Sequence, residues 1–181
     1  MEPRHDKLAH ARSFGEVADV YEAARPGYPP VAVSWLVHPD EVRVVDVGAG
    51  TGKLSRALLA TGHEVVAVDP SAEMLTVLRT QTPDIGTLVG TGEQLPIPDG
   101  SVDAVSYAQA WHWVDPPAAS AEAARALRPG GTLALIWNFR DERVEWVREL
   151  GVAMRADTGQ YTPGADEFPH VDEPFGTPER A

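Results

Sequence analysis

The 181-residue sequence contains no cysteine. This absence excludes disulfide bonds, thiolate zinc sites, cysteine nucleophiles and iron–sulfur clusters held by cysteine ligands. The sequence also lacks any run of about 18 apolar residues, the length that a membrane-spanning helix requires. Its first residues, MEPRHDKLAHARSF, are charged and have no apolar centre, so they do not read as a secretory signal. We therefore expect a cytoplasmic protein with no membrane partner.

Positive charge is also scarce. The chain has 15 Lys and Arg against 27 Asp and Glu, which gives a net charge of −12, and its Lys and Arg residues form no cluster. Because binding to nucleic acid requires a basic face to neutralise phosphates, we expect no nucleic-acid partner. No group of carboxylates and histidines has the spacing of a metal site, so we expect no metal ion.

Apolar segments of two kinds alternate along the chain. Short, nearly continuous apolar runs predict strands buried on both faces, and the segments between them have the spacing of helices. Strands and helices that alternate in this way predict an α/β fold, a doubly wound parallel sheet with helices on both faces. The predicted strands are 42–47, 64–69, 86–90, 102–108 and 132–139, and the predicted helices are 29–37, 53–60, 71–81, 116–128 and 141–156.

Both ends of the chain differ from this alternating region. The spacing of apolar residues predicts a helix over 13–23, with Ser13 as its cap, so that residues 13–37 precede the first strand as helices. Residues 157–181 are acidic, rich in proline and without periodicity, which is typical of a loop or a disordered tail. We therefore divide the chain into a core domain at 1–156 and a tail at 157–181. A sheet that ends with the fifth strand would leave an apolar edge, which proteins usually cover.

A glycine turn follows the first predicted strand, in the stretch VRVVDVGAGTGKLSRALL at 42–59. A strand, a glycine turn and a helix in this order are typical of nucleotide-binding proteins. The stretch fails the phosphate-loop pattern, which would need glycine at position 47 and serine or threonine at position 54. It also departs from the dinucleotide pattern G-x-G-x-x-G, because Lys53 stands at the third glycine position.

Two aspartates near this turn narrow the choice of ligand. Asp46 lies immediately before the turn, where a carboxylate would repel the pyrophosphate of a dinucleotide. S-adenosylmethionine carries an ammonium and a sulfonium but no phosphate, so Asp46 favours it; alternatively, Asp46 only caps the turn. Asp69 ends the second predicted strand, where a carboxylate can accept hydrogen bonds from both ribose hydroxyls. Because both candidate ligands contain this ribose, Asp69 does not distinguish them.

Five motifs occur in a characteristic order: VVDVGAGTGKLS, VVAVDPSAEML, GTGEQLPIPDGSVDAV, AQAWHWVD and LRPGGTLALIWNFRDE. With these motifs the chain resembles the class I S-adenosylmethionine-dependent methyltransferases, in the small-molecule group that includes ubiquinone-biosynthesis and trans-aconitate enzymes. The resemblance covers roughly residues 14 to 150. It implies S-adenosylmethionine as the cofactor and an in-line transfer of its methyl group to an O, N or C nucleophile of a small molecule.

The resemblance also implies which residues bind the cofactor. Asp46 and the turn glycines would surround its methionine part, Asp69 its ribose, and the next helix and the loop after the third strand its adenine, with the backbone of residue 109 meeting the amino group. Many relatives have an aspartate where this chain has Thr91. The implied cofactor-binding residues are Asp46, Gly48, Gly50, Gly52, Asp69, Pro70, Met74, Thr91, Gly92, Glu93 and Gln109.

Members of the family normally add a sixth strand and an antiparallel seventh that pairs with the fifth. Nothing after Asp157 predicts two strands, so we expect a fold that lacks the last two strands of the family. The chain would then be a fragment or, alternatively, a native short form that needs a partner for the edge of its sheet. Two alternatives to the methyltransferase stay open. One is a nicotinamide-dependent oxidoreductase, which the residues at positions 46 and 53 disfavour. The other is a non-catalytic fragment that binds the cofactor.

The acceptor side is less specific. Trp113 and His112 follow the fourth strand, at the sheet end where such folds bind ligands, and His112 could act as a general base. A carboxylate acceptor would need no base, because it is already ionised at neutral pH. The sequence leaves the acceptor and the oligomeric state undetermined, with self-association expected if the fifth strand is uncovered. The other candidate lid or substrate residues are Tyr21, Arg25, Tyr28 and Arg140.

Overall fold

The computed structural model describes residues 26–38, 42–158, 171 and 175. The helix predicted at 13–23 and nearly all of the predicted tail lie outside these residues. The described residues fall into two compact units, one up to Ile136 together with the two isolated residues, and one from Trp137 onward.

The first unit is built on a five-stranded parallel sheet. The strands lie in the order β3-β2-β1-β4-β5, so the first strand in the chain is at the centre. Asp46, near the end of the central strand, pairs with Ala67 on one side and Ser106 on the other. The strands are β1 (Arg43–Val47), β2 (Glu64–Asp69), β3 (Gly86–Val89), β4 (Val102–Ala108) and β5 (Leu127–Ile136).

The helices begin where the sequence supplies caps or prolines. Ser71 accepts a hydrogen bond from Met74 N at the start of one helix, and Asp115 accepts one from Ala118 N at the start of another, ahead of two prolines. The helices of the first unit are α1 (Pro30–Leu36), α2 (Lys53–Ala60), α3 (Ala72–Gln81) and α4 (Pro116–Ala126), with a 3₁₀ turn at Trp111–Trp113. The second unit contains α5 (Glu145–Thr158).

Both faces of the sheet are buried. Val44 and Ala104 belong to a core cluster that also contains apolar residues of α1, α2 and α3. The next residues along the two strands, Val45 and Val105, are fully buried as well, and the strand pleat turns them to the opposite face. This double burial confirms the predicted α/β fold with a doubly wound parallel sheet.

Two elements, β5 and α5, differ from their predicted bounds by more than two residues. β5 begins at Leu127 rather than 132, because the chain bulges between the pairs Val102–Leu127 and Ala104–Thr132 and still remains beside β4. It ends at Ile136 rather than 139. α5 begins at Glu145 rather than 141, because the Asp141 carboxylate accepts the N–H of Arg143 at 3.1 Å in a local turn ahead of the helix.

The strand order determines where a ligand can bind. The chain leaves β1 toward β2 on one side and returns to β4 on the other side, so the connections diverge at the carboxyl ends of β1 and β4. Open parallel sheets bind ligands in the crevice at such a switch point. None of the helices in the described part of the chain is both long and apolar enough to span a membrane.

Candidate functional site

A glycine turn connects the central strand β1 to α2, at the switch point of the sheet. Gly48, Gly50 and Gly52 all have positive φ angles, of 66°, 56° and 86°. A Cβ atom on Gly48 would lie 2.5 Å from the Cβ of Ala110, whereas a Cβ on Gly50 would meet no atom within 4 Å. The conformation of the turn therefore requires glycine, and its middle glycine faces open space.

The turn is attached to the end of the neighbouring strand β2. The N–H groups of Gly48 and Ala49 both donate to Val68 O, at 2.8 and 3.1 Å. The N–H of Gly50 donates to Asp69 Oδ2 at 2.8 Å. Because three successive backbone donors bond to the end of β2, the turn and that strand form one rigid unit.

Asp46 is buried beneath this turn, with an exposed fraction of 1%. Its Oδ2 accepts the hydroxyl of Ser55 at 2.6 Å, and within the described part of the chain its Oδ1 has no hydrogen-bond partner. Burial raises the pKa of Asp46 to about 7, and the charge of Asp69 adds to this effect, while the hydrogen bond from Ser55 opposes it. A buried oxygen without a partner is costly, so it marks a position where a cationic donor would be stabilising.

Asp69 lies at the carboxyl end of β2 and is almost completely buried. Its Oδ1 accepts the N–H of Ser71 at 2.8 Å, and its Oδ2 accepts Gly50 N. Burial raises the pKa of Asp69, and these two backbone hydrogen bonds oppose that rise. A carboxylate offers about four acceptor positions. Asp69 is thus held in place by two backbone donors and can still accept two more.

The residues after Asp69 lead into α3. Pro70 is half-buried, and Met74 is buried in the first turn of the helix, where its N–H donates to the Ser71 hydroxyl. Both residues therefore lie next to Asp69, as the resemblance implies, and their proposed contacts with adenine stay a prediction.

The loop after β3 contains Thr91, Gly92 and Glu93. Gly92 is buried, and the Tyr107 hydroxyl donates to its carbonyl at 3.4 Å. Glu93 Oε1 accepts the N–H of Asp115 at 3.0 Å, so in this structure its carboxylate bonds to the segment that follows β4. Thr91 and Gln94 form an isolated antiparallel bridge that closes the loop.

α4 holds the far side of the same loop. Glu122 Oε2 accepts Leu95 N at 2.9 Å, and the Arg125 guanidinium donates to the carbonyls of Leu95 and Ile97 at 3.1 and 2.8 Å. Glu122 and Arg125 also bond to each other, and this hydrogen bond lowers the pKa of Glu122. The ion pair therefore holds the main chain of the loop by one N–H group, which Glu122 accepts, and by two carbonyl groups, to which Arg125 donates.

Gln109 follows β4 and has a φ angle of 58°, a left-handed conformation that non-glycine residues rarely adopt. Its N–H donates to Ile136 O at 2.9 Å, which joins the ends of β4 and β5. Strained backbone of this kind is concentrated at functional sites. The conformation is consistent with a backbone role for Gln109 at the switch point, which stays a prediction.

Aromatic residues follow Gln109 in the 3₁₀ turn. Trp111 is buried and meets Tyr107 edge-on, with ring centroids 4.8 Å apart and planes at 86°. The side chain of His112 is exposed, and its ring lies 4.8 Å from that of the half-buried Trp113. Trp111 is thus a core residue, and His112 is open to solvent beside Trp113. The proposed basic role of His112 stays a prediction.

Of the remaining candidates for the lid or substrate site, the structure describes Tyr28 and Arg140. Tyr21 and Arg25 lie outside the described residues. Tyr28 is half-buried and packs against the core cluster of the first unit. Arg140 belongs to the second unit, where its side chain is exposed and its carbonyl accepts the N–H of Glu142.

Sequence reasoning missed three residues around the site: Ser55, Glu122 and Arg125. Ser55 had a detectable signal, since it is a polar residue in the buried stripe of α2 that also contains Leu54 and Leu58. Glu122 and Arg125 have the spacing of a helical ion pair, but their bonds to the loop have no local signal. Among the described residues, no three His, Asp or Glu side chains gather as metal ligands would.

Comparison with known proteins gives consistent matches. Residues 45–135 match a family model described as a methyltransferase domain. The "Uncharacterized methyltransferase Rv3342" of Mycobacterium tuberculosis is 53% identical over 168 residues, which are 93% of this chain and 68% of that protein. A malonyl-[acyl-carrier protein] O-methyltransferase of Serratia marcescens is 36% identical over 160 residues, covering 86% of this chain and 61% of that protein.

A solved structure of a SAM-dependent methyltransferase from Thermotoga maritima has a similar fold. It is 26% identical, with a TM-score of 0.54, over 82% of this chain and 69% of that one. The chain thus spans about two thirds of the length of these relatives.

Proposed function

Since the chain belongs to the methyltransferase domain family, we propose that it binds S-adenosylmethionine at the glycine turn and transfers its methyl group to a small-molecule acceptor. The observation that carries this proposal is the pair of buried carboxylates at the turn. Asp46 presents an oxygen without a partner among the described residues, and Asp69 has acceptor positions to spare. A cofactor with a cation and a ribose, and without phosphate, suits both carboxylates.

The residues around the turn fit this cofactor in different ways. Asp46 Oδ1 would accept a hydrogen bond from the ammonium group, and Asp69 would accept the ribose hydroxyls. The open space at Gly50 would receive the methionine part, bordered by Gly48 and Gly52. Toward the adenine and the amino group we propose the remaining predicted residues, Pro70, Met74, Thr91, Gly92 and Gln109, and of Glu93 only the main chain, because its carboxylate bonds to Asp115 N.

When bound, the cofactor supplies a methyl group on a positively charged sulfur. Held by Asp46 and Asp69, the cofactor would supply this methyl group to the lone pair of the acceptor, and the electron pair of the carbon–sulfur bond would stay with sulfur. The role of the protein is to hold the acceptor in line and to exclude water. An acceptor that carries a proton releases it to solvent or to His112, and an acceptor already ionised needs no base.

The proposal covers O, N and C acceptors. The name of the Serratia relative gives an oxygen acceptor for that protein. We therefore propose small molecules with a nucleophilic oxygen as the first acceptors to test, and small amines and carbon acids after them. A nicotinamide-dependent oxidoreductase is disfavoured, because the buried Asp46 would lie next to its pyrophosphate.

Isothermal titration of S-adenosylhomocysteine tests the cofactor assignment. We expect micromolar binding that Asp69→Ala weakens by at least about 100-fold, because two hydrogen bonds to a charged group are lost. Asp84→Ala, the same substitution at an exposed aspartate, should bind as the wild type does. Circular dichroism of each variant reports whether it is folded.

A second variant keeps this test decisive if Asp69→Ala fails to fold. Gly50→Ala puts a methyl group into the open space of the turn and costs only about 1 kcal/mol of backbone strain. We expect it to fold and to weaken the binding of S-adenosylhomocysteine. A folded wild-type chain that binds NADH and not S-adenosylhomocysteine would refute the proposal.

A further inference from the structure

Two segments of the proposed site lie directly against each other. We call residues 91–95 the cofactor loop and residues 110–115 the acceptor segment. Gly92 of the cofactor loop is buried, and a Cβ on it would lie 2.7 Å from Val114 Cγ1 in the acceptor segment. The same atom would lie 3.1 Å from Tyr107 Cε1. The main chain of the cofactor loop therefore packs against the acceptor segment with no space between them.

A polar contact joins the same two segments. Glu93 Oε1 in the cofactor loop accepts the N–H of Asp115, which ends the acceptor segment, at 3.0 Å. Asp115 in turn caps α4, since its Oδ1 accepts Ala118 N at 3.2 Å. The residues between them, Pro116 and Pro117, have no N–H to offer. A single carboxylate thus bonds the cofactor loop to the junction between the acceptor segment and α4.

We propose that Glu93 is a positioning residue, which holds the acceptor segment in place through Asp115 N so that an ordered cofactor loop also orders the acceptor side. The inference rests on the proposed function. It assigns Glu93 a different role from the adenine contact implied by the family resemblance, because its carboxylate bonds to Asp115. Binding of the cofactor and alignment of the acceptor are then coupled through one side chain.

The cofactor loop is also attached to α4, at its end opposite to Glu93. Glu122 and Arg125 of α4 bond to the N–H and carbonyl of Leu95, so the loop cannot move away from α4 without breaking those bonds. Asp115 begins the same helix. The cofactor loop is thus bonded to the acceptor segment at Glu93 and to α4 at Leu95. A ligand that restrains this loop therefore restrains the acceptor segment as well.

Hydrogen exchange, measured by mass spectrometry with and without S-adenosylhomocysteine, tests the coupling. The variants are Glu93→Ala, which removes the acceptor, Glu93→Gln, whose amide oxygen can replace it, and Gln94→Ala as a control at an exposed neighbour in the same loop. In the wild type we expect the ligand to slow exchange both at residues 48–52 and in the acceptor segment.

We expect Glu93→Ala to keep the slowing at residues 48–52 and to reduce the slowing in the acceptor segment by about fivefold, the effect of one hydrogen bond. Glu93→Gln and Gln94→Ala should retain both effects. Glu93→Asp withdraws the carboxylate by one methylene from Asp115 N, so we expect it to behave as Glu93→Ala, and it serves if that variant does not fold. A purely structural role would not change the ligand-dependent part.

The outcomes separate the two proposals. Equal ligand-dependent slowing of the acceptor segment in the wild type and in the folded Glu93→Ala or Glu93→Asp variant would overturn the coupling and leave the cofactor assignment intact. Loss of the effect in Glu93→Gln as well as in Glu93→Ala would also overturn it, because the amide restores the acceptor. A folded wild-type chain without ligand-dependent slowing at residues 48–52 would overturn the cofactor assignment itself.

Discussion

Replacing Asp46 with asparagine should make the chain more stable at neutral and alkaline pH, although it removes a predicted cofactor-binding group. Asparagine has the same shape, and its Oδ1 can accept the Ser55 hydroxyl as the carboxylate does. The variant therefore removes the charge while leaving the packing unchanged. Because Asp46 is buried and near the charge of Asp69, its ionised form is disfavoured in the folded chain, and asparagine avoids that cost.

The expected magnitude follows from the pKa of Asp46, which the fold raises from 3.8 to about 7. An acid whose pKa is raised by folding contributes stability that is complete below its unfolded pKa and is lost as the pH rises through its folded pKa. The full loss for a pKa difference of about 3 is roughly 4 kcal/mol. Between about pH 5 and about pH 8 the loss is about 2.5 kcal/mol.

Urea unfolding of the wild type and of Asp46→Asn at a series of pH values measures this effect. We expect the free energy of unfolding of the wild type to fall relative to that of the variant as the pH rises. Taking the difference between the two chains at each pH cancels the contributions of the ionisable groups that they share. Asp84→Asn, at an exposed aspartate, should remain parallel to the wild type over this range. Parallel profiles for Asp46→Asn and the wild type would refute the reasoning.

Two further substitutions test the packing around the site by urea unfolding. Gly52→Ala should lower the free energy of unfolding by about 2 to 4 kcal/mol, because its Cβ would overlap Leu78 Cδ1 at a φ of +86°. Gly62→Ala has open space at a φ of +95° and should cost only about 1 kcal/mol; equal losses would contradict the steric argument. Arg125→Met should cost about 1 to 3 kcal/mol through its lost bonds to the loop carbonyls. The exposed Arg79→Met should stay within about 0.5 kcal/mol of the wild type, and similar losses in the two arginine variants would contradict the role given to the ion pair.

The sequence predicts most elements of the sheet because their signals are local. α2 is observed at Lys53–Ala60 as predicted, since a glycine turn starts it and its apolar spacing is regular. The start of β5 at Leu127 was missed, because the segment RPGG reads as a turn and only pairing with β4 keeps it in the sheet. The start of α5 was misplaced because the Asp141 turn competes with the helix.

In the candidate site, too, local features follow from the sequence and long-range contacts do not. The glycine turn and the positions of Asp46 and Asp69 follow from short motifs, and the strand order brings them together. The bond from Asp115 to Glu93 spans 22 residues, and those from Arg125 to Leu95 and Ile97 span 30 and 28. Contacts over such separations depend on how the loop and α4 pack, which no local pattern encodes.

The central place of β1 in the sheet has a consequence for the order of folding. Hydrogen bonds that shape the glycine turn join residues close in sequence, with separations of 9 from Asp46 to Ser55 and of 19 from Gly50 to Asp69. Contacts between β1 and the region of β4 span about 60, as from Arg43 to Asp103 and from Val45 to Ser106. Because closing a longer loop costs more entropy, the turn can form with β2 before β4 arrives. The half of the crevice with Asp46 and Asp69 would then take shape first, and the half with Gln109 and the acceptor segment would be added to it.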